Sequence, residues 1–420
     1  MKWSVIALAV AAGTTQMAVA SSQSESKGFV EDSSFNIFNR ALYHNRDFRN
    51  GAANTSGTGD KGYYEDTGLG IRLLFESGFT QGTVGVGVDA HSLSSIKIDS
   101  GRGRYGSGQF AQDSDGRGED TQTEVGGAIK FRISDTVLKY GNQMVASPVF
   151  STDDSRILPE VATGTLITSN EIEGLELTAG RFSAVSSQTA TSRGSAYGGD
   201  LDSINFAGAS YSFNDNFSGA IHASDVEDFF KKQYVNLNYN LPLAEEQSLN
   251  FDFNGYRTRG DGQERWGEVD NNIWSLAAAY SMGAHTLTLA HQRSTGDAGY
   301  AYGVDGDGTI WLANSVQISD FNSKDERSWQ ARYDLDMTTY GVPGLSFMTR
   351  YITGDNIDRG AGLSEGKEHE LDMEAKYVIQ EGAAKDLSFR VRNAVLRGDT
   401  GVTTDRNDFR LIVEYPLEVL

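Results

Sequence analysis

Apolar and polar residues alternate with a period of two along nearly the whole chain. In Val235-Asn236-Leu237-Asn238-Tyr239-Asn240-Leu241 every second residue is apolar and every intervening one is asparagine. The stretch Trp329-Gln330-Ala331-Arg332-Tyr333-Asp334-Leu335-Asp336-Met337 repeats the pattern with charges on its polar side, as do Leu371 to Tyr377 and Leu387 to Arg392. A helix would scatter those charges around its circumference, whereas a strand places them all on one face. Eighteen segments read as strands: 33–44, 65–76, 82–98, 121–134, 136–142, 163–169, 175–183, 203–213, 217–227, 229–241, 248–258, 272–282, 285–295, 326–337, 345–354, 368–380, 386–397 and 407–419.

The connections alternate as well. Those after even-numbered strands are short, such as Asn214-Asp215-Asn216, Met282-Gly283-Ala284 and Glu381 to Lys385. Those after odd-numbered strands are mostly long and rich in Gly, Asp and Ser, such as Asp99 to Asp120 and Ser183 to Asp202. An even strand count with short turns at one end and long loops at the other predicts an all-β, transmembrane antiparallel β-barrel with both termini at the short-turn, periplasmic end. A soluble sandwich shares the alternation, because it too buries one face of each sheet. Three features favour the barrel over a sandwich, propeller or β-helix. Strands of ten or more residues exceed the usual soluble length of about 5–6. The polar faces carry paired arginines and lysines that suit a water-filled lumen. No motif recurs at a propeller period of about 40 residues.

Residues 1–20 have the form of a secretory signal peptide: Lys2, the apolar run Val5 to Ala12, and the small-x-small site Ala18-Val19-Ala20. The apolar run is well short of the roughly 20 residues that a membrane helix needs. The barrel domain is then 21–420, an exported protein of the outer membrane of a Gram-negative bacterium.

Composition narrows the function classes. The 420 residues contain 48 glycines, 5 prolines and no cysteine, so disulfides, cysteine-ligated metals and thiol catalysis are excluded. Mean hydropathy is −0.41, which at first sight reads as a soluble protein. A net charge of −21 argues against nucleic acid as a partner.

Several motifs dissolve in context. Gly101-Arg102-Gly103-Arg104-Tyr105-Gly106 matches G-x-G-x-x-G, but a polar, glycine-rich stretch follows it instead of a helix. Asp305-Gly306-Asp307-Gly308-Thr309 resembles the start of a calcium loop, yet Ile310 and Val316 occupy the sixth and twelfth positions. A loosely held loop cation is the most it suggests. The six histidines show neither H-E-x-x-H nor other ligand spacing, and G-x-S-x-G is absent. No cofactor, metal or catalytic set is expected. A barrel-rim hydrolase is the enzyme alternative, and the carboxylates it would need are explained more simply as solvated loop residues.

The basic residues carry more information. In Ile129-Lys130-Phe131-Arg132-Ile133 the apolar residues take the lipid side, so Lys130 and Arg132 face the lumen. The same parity sends Arg332, Arg350, Lys376, Arg390, Arg392 and Arg410 inward; a cation facing lipid at the midplane would cost about 2–4 kcal/mol. Barrel closure brings Arg40 and Arg46 beside the last strand. Local pairing with Asp372, Glu374 or Glu414 would make these arginines structural, whereas a column of guanidiniums along one wall would attract anions.

Six stretches, Gly28 to Ser34, Glu76 to Gly85, Ser155-Arg156-Ile157-Leu158-Pro159, Ser328 to Asp334, Gly341-Val342-Pro343-Gly344-Leu345 and Arg410-Leu411-Ile412-Val413, span the mature chain in order. Through them the sequence resembles the OprD family of substrate-specific outer-membrane porins of pseudomonads. The resemblance implies an eighteen-stranded barrel, a constriction made by inward-folded third (143–162) and seventh (296–325) loops, and a basic ladder guiding carboxylates. It places the ladder at Arg46, Arg156, Lys376, Arg390, Arg392 and Arg410, and the eyelet between Arg156 and Asp320. Two departures stand out: Leu420 replaces the usual C-terminal aromatic, and Ile318 stands where relatives carry tyrosine. The expected function is passive, selective diffusion of small carboxylates, benzoate-like or other organic acids. A porin for basic amino acids or dipeptides is the alternative within the family. The partners expected are those solutes and outer-membrane lipid, with the protein a monomer or homotrimer.

Overall fold

The computed structural model describes residues 23–56 and 61–420, so the leader read at 1–20 lies outside the described residues. In chain order the strands begin β1 (Ser34–Phe48), β2 (Tyr63–Glu76), β3 (Gly85–Asp99), β4 (Thr121–Ile133) and β5 (Thr136–Gln143). The short β6 (Ala146–Ser147) and β7 (Phe150–Ser151) follow, then β8 (Val161–Ile172), β9 (Leu175–Ser186), β10 (Ile204–Asn214) and β11 (Phe217–Val226). Next come β12 (Phe230–Ala244), β13 (Gln247–Gly260), β14 (Asp270–Met282), β15 (His285–Gly296) and β16 (Arg327–Asp336). The series ends with β17 (Leu345–Ile357), β18 (Gly366–Val378), β19 (Ser388–Gly398) and β20 (Arg406–Glu418).

All but β6 and β7 form one closed antiparallel sheet of eighteen strands, in which β5 pairs with β8 and β1 with β20. Closure leaves no strand edge in lipid, where an unpaired backbone amide would cost several kcal/mol. Each of the eighteen segments read from the alternation coincides with one barrel strand. The longest run added at one strand end is in β1, which continues through Asn45, Arg46, Asp47 and Phe48, paired on both sides with β2 and with β20. Polar residues do not end a strand whose inner face is wet.

Outward positions are apolar, with Leu289 65% and Ile221 64% exposed. Aromatic rings mark both ends of the lipid-facing band. Tyr211, Phe213, Phe217 and Tyr239 cluster near the short turns, and Trp274, His291 and Trp329 near the long loops. The densest apolar packing lies inside the barrel instead. The third long loop (L3, 144–160), which carries the β6–β7 hairpin, and the seventh (L7, 297–326) pack on the inner face of β9 to β14. Phe150, Phe182, Ile204, Phe206, Tyr256 and Tyr300 lie at the heart of that cluster. The β6–β7 hairpin is a feature the sequence reading lacked; two-residue strands are too short to show a period.

Candidate functional site: the constriction and the basic wall

L3 enters the lumen over β2, where the inward positions read Gly68, Gly70 and Arg72. A Cβ on Gly70 would run into the backbone carbonyl of Ile157, so glycine is what lets the loop lie flat on this strand. Ile157 is then buried among Leu42, Leu93 and Phe110. Arg72 donates to Asp154 at 2.6 Å and to the Ile157 carbonyl at 3.0 Å. Arg40 reaches the same Asp154 carboxylate at 2.9 Å and the Arg156 carbonyl at 2.6 Å. Burial pushes the Asp154 pKa up, but Arg72 and Arg40 outweigh it and hold the carboxyl below its ordinary value.

L7 is pinned from β12 round to β20. At its base Lys232 and Asp305 form a wholly buried ion pair at 2.5 Å, with the ammonium 4.6 Å from the centroid of Tyr300. The carboxylate that the sequence offered to a loop cation is thus committed to a lysine. Among the described residues no group of three His, Asp or Glu is placed to hold a metal. At the loop tip the Ile318 and Ser319 N–H groups donate to the two oxygens of Glu370, both at 2.9 Å. Gln317 donates to Asp408 at 2.8 Å. The two loops also bind each other: the Ser151 N–H donates to the Asp305 carbonyl and the Gly308 N–H to the Ser151 carbonyl, each at 3.2 Å.

The structure brings most of the sequence-selected cations onto one wall, β16 to β20 and β1. Arg390 and Arg392 share Glu374 at 2.6 Å and 3.2 Å. The Arg390 Nε is a buried donor without an acceptor among the described residues. Lys376 sits directly across the sheet from Arg390 and makes no ion pair among the described residues. Arg46 and Arg410 each bond Asp408 at 2.7 Å, and His44 lies 2.8 Å from it. Arg350 pairs with Asp372 and Arg332 with Asp334, both at 2.7 Å. Glu414 is held by Arg40 at 2.8 Å. All three carboxylates weighed in the sequence as local partners are therefore engaged, yet Glu374 and Asp408 each serve two arginines.

Arg156 and Asp320 project from the two loops and do not pair with each other. The Arg156 Nε donates to the Ser107 carbonyl at 2.6 Å, and the side chain makes no ion pair among the described residues. Burial, and then the positive field of Arg410, lower its pKa. Asp320 accepts from the Ser315 hydroxyl at 2.6 Å and from the Tyr302 hydroxyl. Burial raises its pKa against those two donors.

Lys130 and Arg132 face inward but stand apart from this wall, near the short-turn rim. Lys130 pairs with Asp89 at 2.7 Å; Arg132 donates to Gln23 at 2.8 Å and lies 4.3 Å from the Phe79 centroid. There Arg132 ties the N-terminal segment to the barrel through Gln23, while Lys130 joins β4 to β3. Arg72 was missed although its parity with Gly68 and Gly70 points it inward. Asp154, Asp408 and Glu370 carried no comparable signal, since an acidic residue in an acidic chain is unremarked until its partners are known.

A sequence model described as outer membrane porin, OprD family, matches residues 27–419. The chain is 47% identical to Porin D of Pseudomonas aeruginosa over 450 residues, covering 100% of this chain and 99% of that protein. The structure of Acinetobacter baumannii OccAB1 superposes with a TM-score of 0.89 at 33% identity, over 95% of this chain and 100% of that one. Pseudomonas aeruginosa OpdK, solved with vanillate, gives a TM-score of 0.84 at 34% identity over 93% and 100%.

Proposed function

The chain belongs to the OprD family of substrate-specific outer-membrane porins, and from that premise we propose that its solutes are small carboxylates guided by the β16–β20 and β1 wall. It is a channel of the outer membrane, not an enzyme. The observation that carries the proposal is the surplus of positive charge at Lys376, Arg390 and Arg392, three cations around the single carboxylate of Glu374. One cation–carboxylate contact at 4 Å is worth about 1 kcal/mol in water and about 4 kcal/mol at an effective dielectric near 20. Several such contacts in series capture an anion and still release it. Arg156, Arg46 and Arg410 extend the row upward to the constriction, and Arg350 flanks it. OpdK with its vanillate, a carboxylate, supports the same class.

Asp320 favours plain acids over basic amino acids. Its carboxylate is already bonded by Tyr302 and Ser315, so it is poorly placed to greet a substrate ammonium. Uptake by liposomes carrying the protein tests the reading. Benzoate should enter faster than arginine, and the opposite order would contradict it.

A further inference from the structure

The repeated Val-Asn-Leu-Asn-Tyr-Asn-Leu pattern has no part in a carboxylate ladder, and its placement is specific. β12 is nine places from β1 in the eighteen-strand ring, as far as a strand can be. From β9 to β15 the only inward-facing lysine or arginine among the described residues is Lys232, which is committed to Asp305. Below Tyr234 and Tyr256, where L7 docks through the Trp311 N–H to the Tyr256 hydroxyl at 3.0 Å, this wall presents amides.

The amides are organised. Asp252 Oδ1 accepts from Asn236 and Asn238, both at 3.0 Å, and its Oδ2 accepts from Asn254 at 2.6 Å. Asn254 Oδ1 in turn accepts from the Tyr234 hydroxyl at 2.5 Å. Asn238 and Asn250 exchange bonds at 3.3 and 3.0 Å. Asn240 makes no side-chain hydrogen bond among the described residues. Asn236, Asn238, Asn240, Asn250 and Asp252 are all half-buried, their outer edges open to the lumen. Inward residues on one strand recur about every 7 Å. The N–H groups of Asn236 and Asn238 are spent on neighbours, so the row offers their amide oxygens as fixed acceptors at regular steps, with Asn240 adding a free donor.

We propose that this amide face is a second recognition track, taking uncharged polyhydroxylated solutes, small sugar alcohols in particular, along the wall opposite the arginines. A hydroxyl both donates and accepts, as a carboxamide does, and neither needs a counter-ion. The Asp252 network holds the amides in place beforehand, which removes most of the ordering cost of binding. The proposal rests on the protein being a channel and is independent of which acid the arginines prefer.

The test is osmotic swelling of liposomes in xylitol, set beside benzoate uptake, for the wild type and for Asn236→Ala with Asn238→Ala. Losing one net hydrogen bond should slow xylitol entry about threefold and leave benzoate unchanged. If the amides were only a wall, trimming them would widen the lumen, and xylitol entering at the same rate or faster would overturn the proposal, as would an equal loss of both solutes. Asn240→Ala guards against misfolding of the double variant, because its side chain supports no neighbour. It should slow xylitol in the same sense, and no change in xylitol entry would count against the track. Failure of benzoate to respond to arginine substitutions would sink the carboxylate reading and leave this one standing.

Discussion

Lys376 and Arg390 stand directly opposite each other across the β18–β19 ladder, two cations facing one lumen, and of the two only Arg390 has an ion-pair partner among the described residues, Glu374. Like charges so placed repel in a sheet that serves only itself. An anionic visitor converts that repulsion into attraction, which is why the pair anchors the account of solute passage.

Replacing Arg390 and Arg392 together by alanine removes both partners of Glu374 and leaves Lys376 beside it. The barrel should still fold, because its ladders do not depend on these side chains. Benzoate uptake should fall roughly tenfold, the equivalent of about 1.4 kcal/mol of lost attraction. Reduced folded yield with uptake per folded channel unchanged would make the two arginines structural.

Asp154→Asn tests the anchoring of L3. Arg40 and Arg72 would lose the carboxylate they share, and the loop would be released from β1 and β2. Single-channel conductance should rise and become noisy. The pH dependence has a definite sign: because the Asp154 carboxyl is held below its ordinary value, its anchoring is fully present above the ordinary carboxylate pKa and is lost only as pH falls through the lowered one. Conductance should therefore stay flat from pH 7 to about 4 and rise below that; a rise beginning near pH 6 would contradict the assignment.

Gly70→Ala puts a methyl group where the Ile157 carbonyl lies. L3 must shift off β2, so conductance should increase while the outer surface is untouched. Protease accessibility of L3 in the folded channel provides the check, and a variant indistinguishable from wild type would show that the loop has another support.

Asp320→Asn keeps an oxygen to accept from Ser315 or Tyr302 while removing the charge. Benzoate uptake should change less than twofold, within the scatter of a single weak hydrogen bond. A loss of arginine uptake far exceeding any change for benzoate would restore the basic amino-acid alternative.

The alternation at Val235 to Leu241 or Trp329 to Met337 was enough to find each barrel strand, because lipid outside and water inside demand opposite chemistry at successive residues. That parity also directed Arg350, Lys376, Arg390, Arg392 and Arg410 into the lumen. What it could not supply was the route of L3 and L7. Loops carry no period, and their paths are set by long-range partners such as Asp154 with Arg72 or Ile318 with Glu370. For the same reason Lys130 and Arg132, inward by parity, could not be told apart from the ladder until Asp89 and Gln23 were seen beside them.

The central claim, that carboxylates pass along the Lys376–Arg390–Arg392 wall, is tested most directly by the reversal potential of single channels in a sodium benzoate gradient. The wild type should show a potential set largely by benzoate, and Arg390→Ala with Arg392→Ala should move it toward the sodium limit. A wild-type potential already at the sodium limit, unmoved by the double substitution, would contradict the claim.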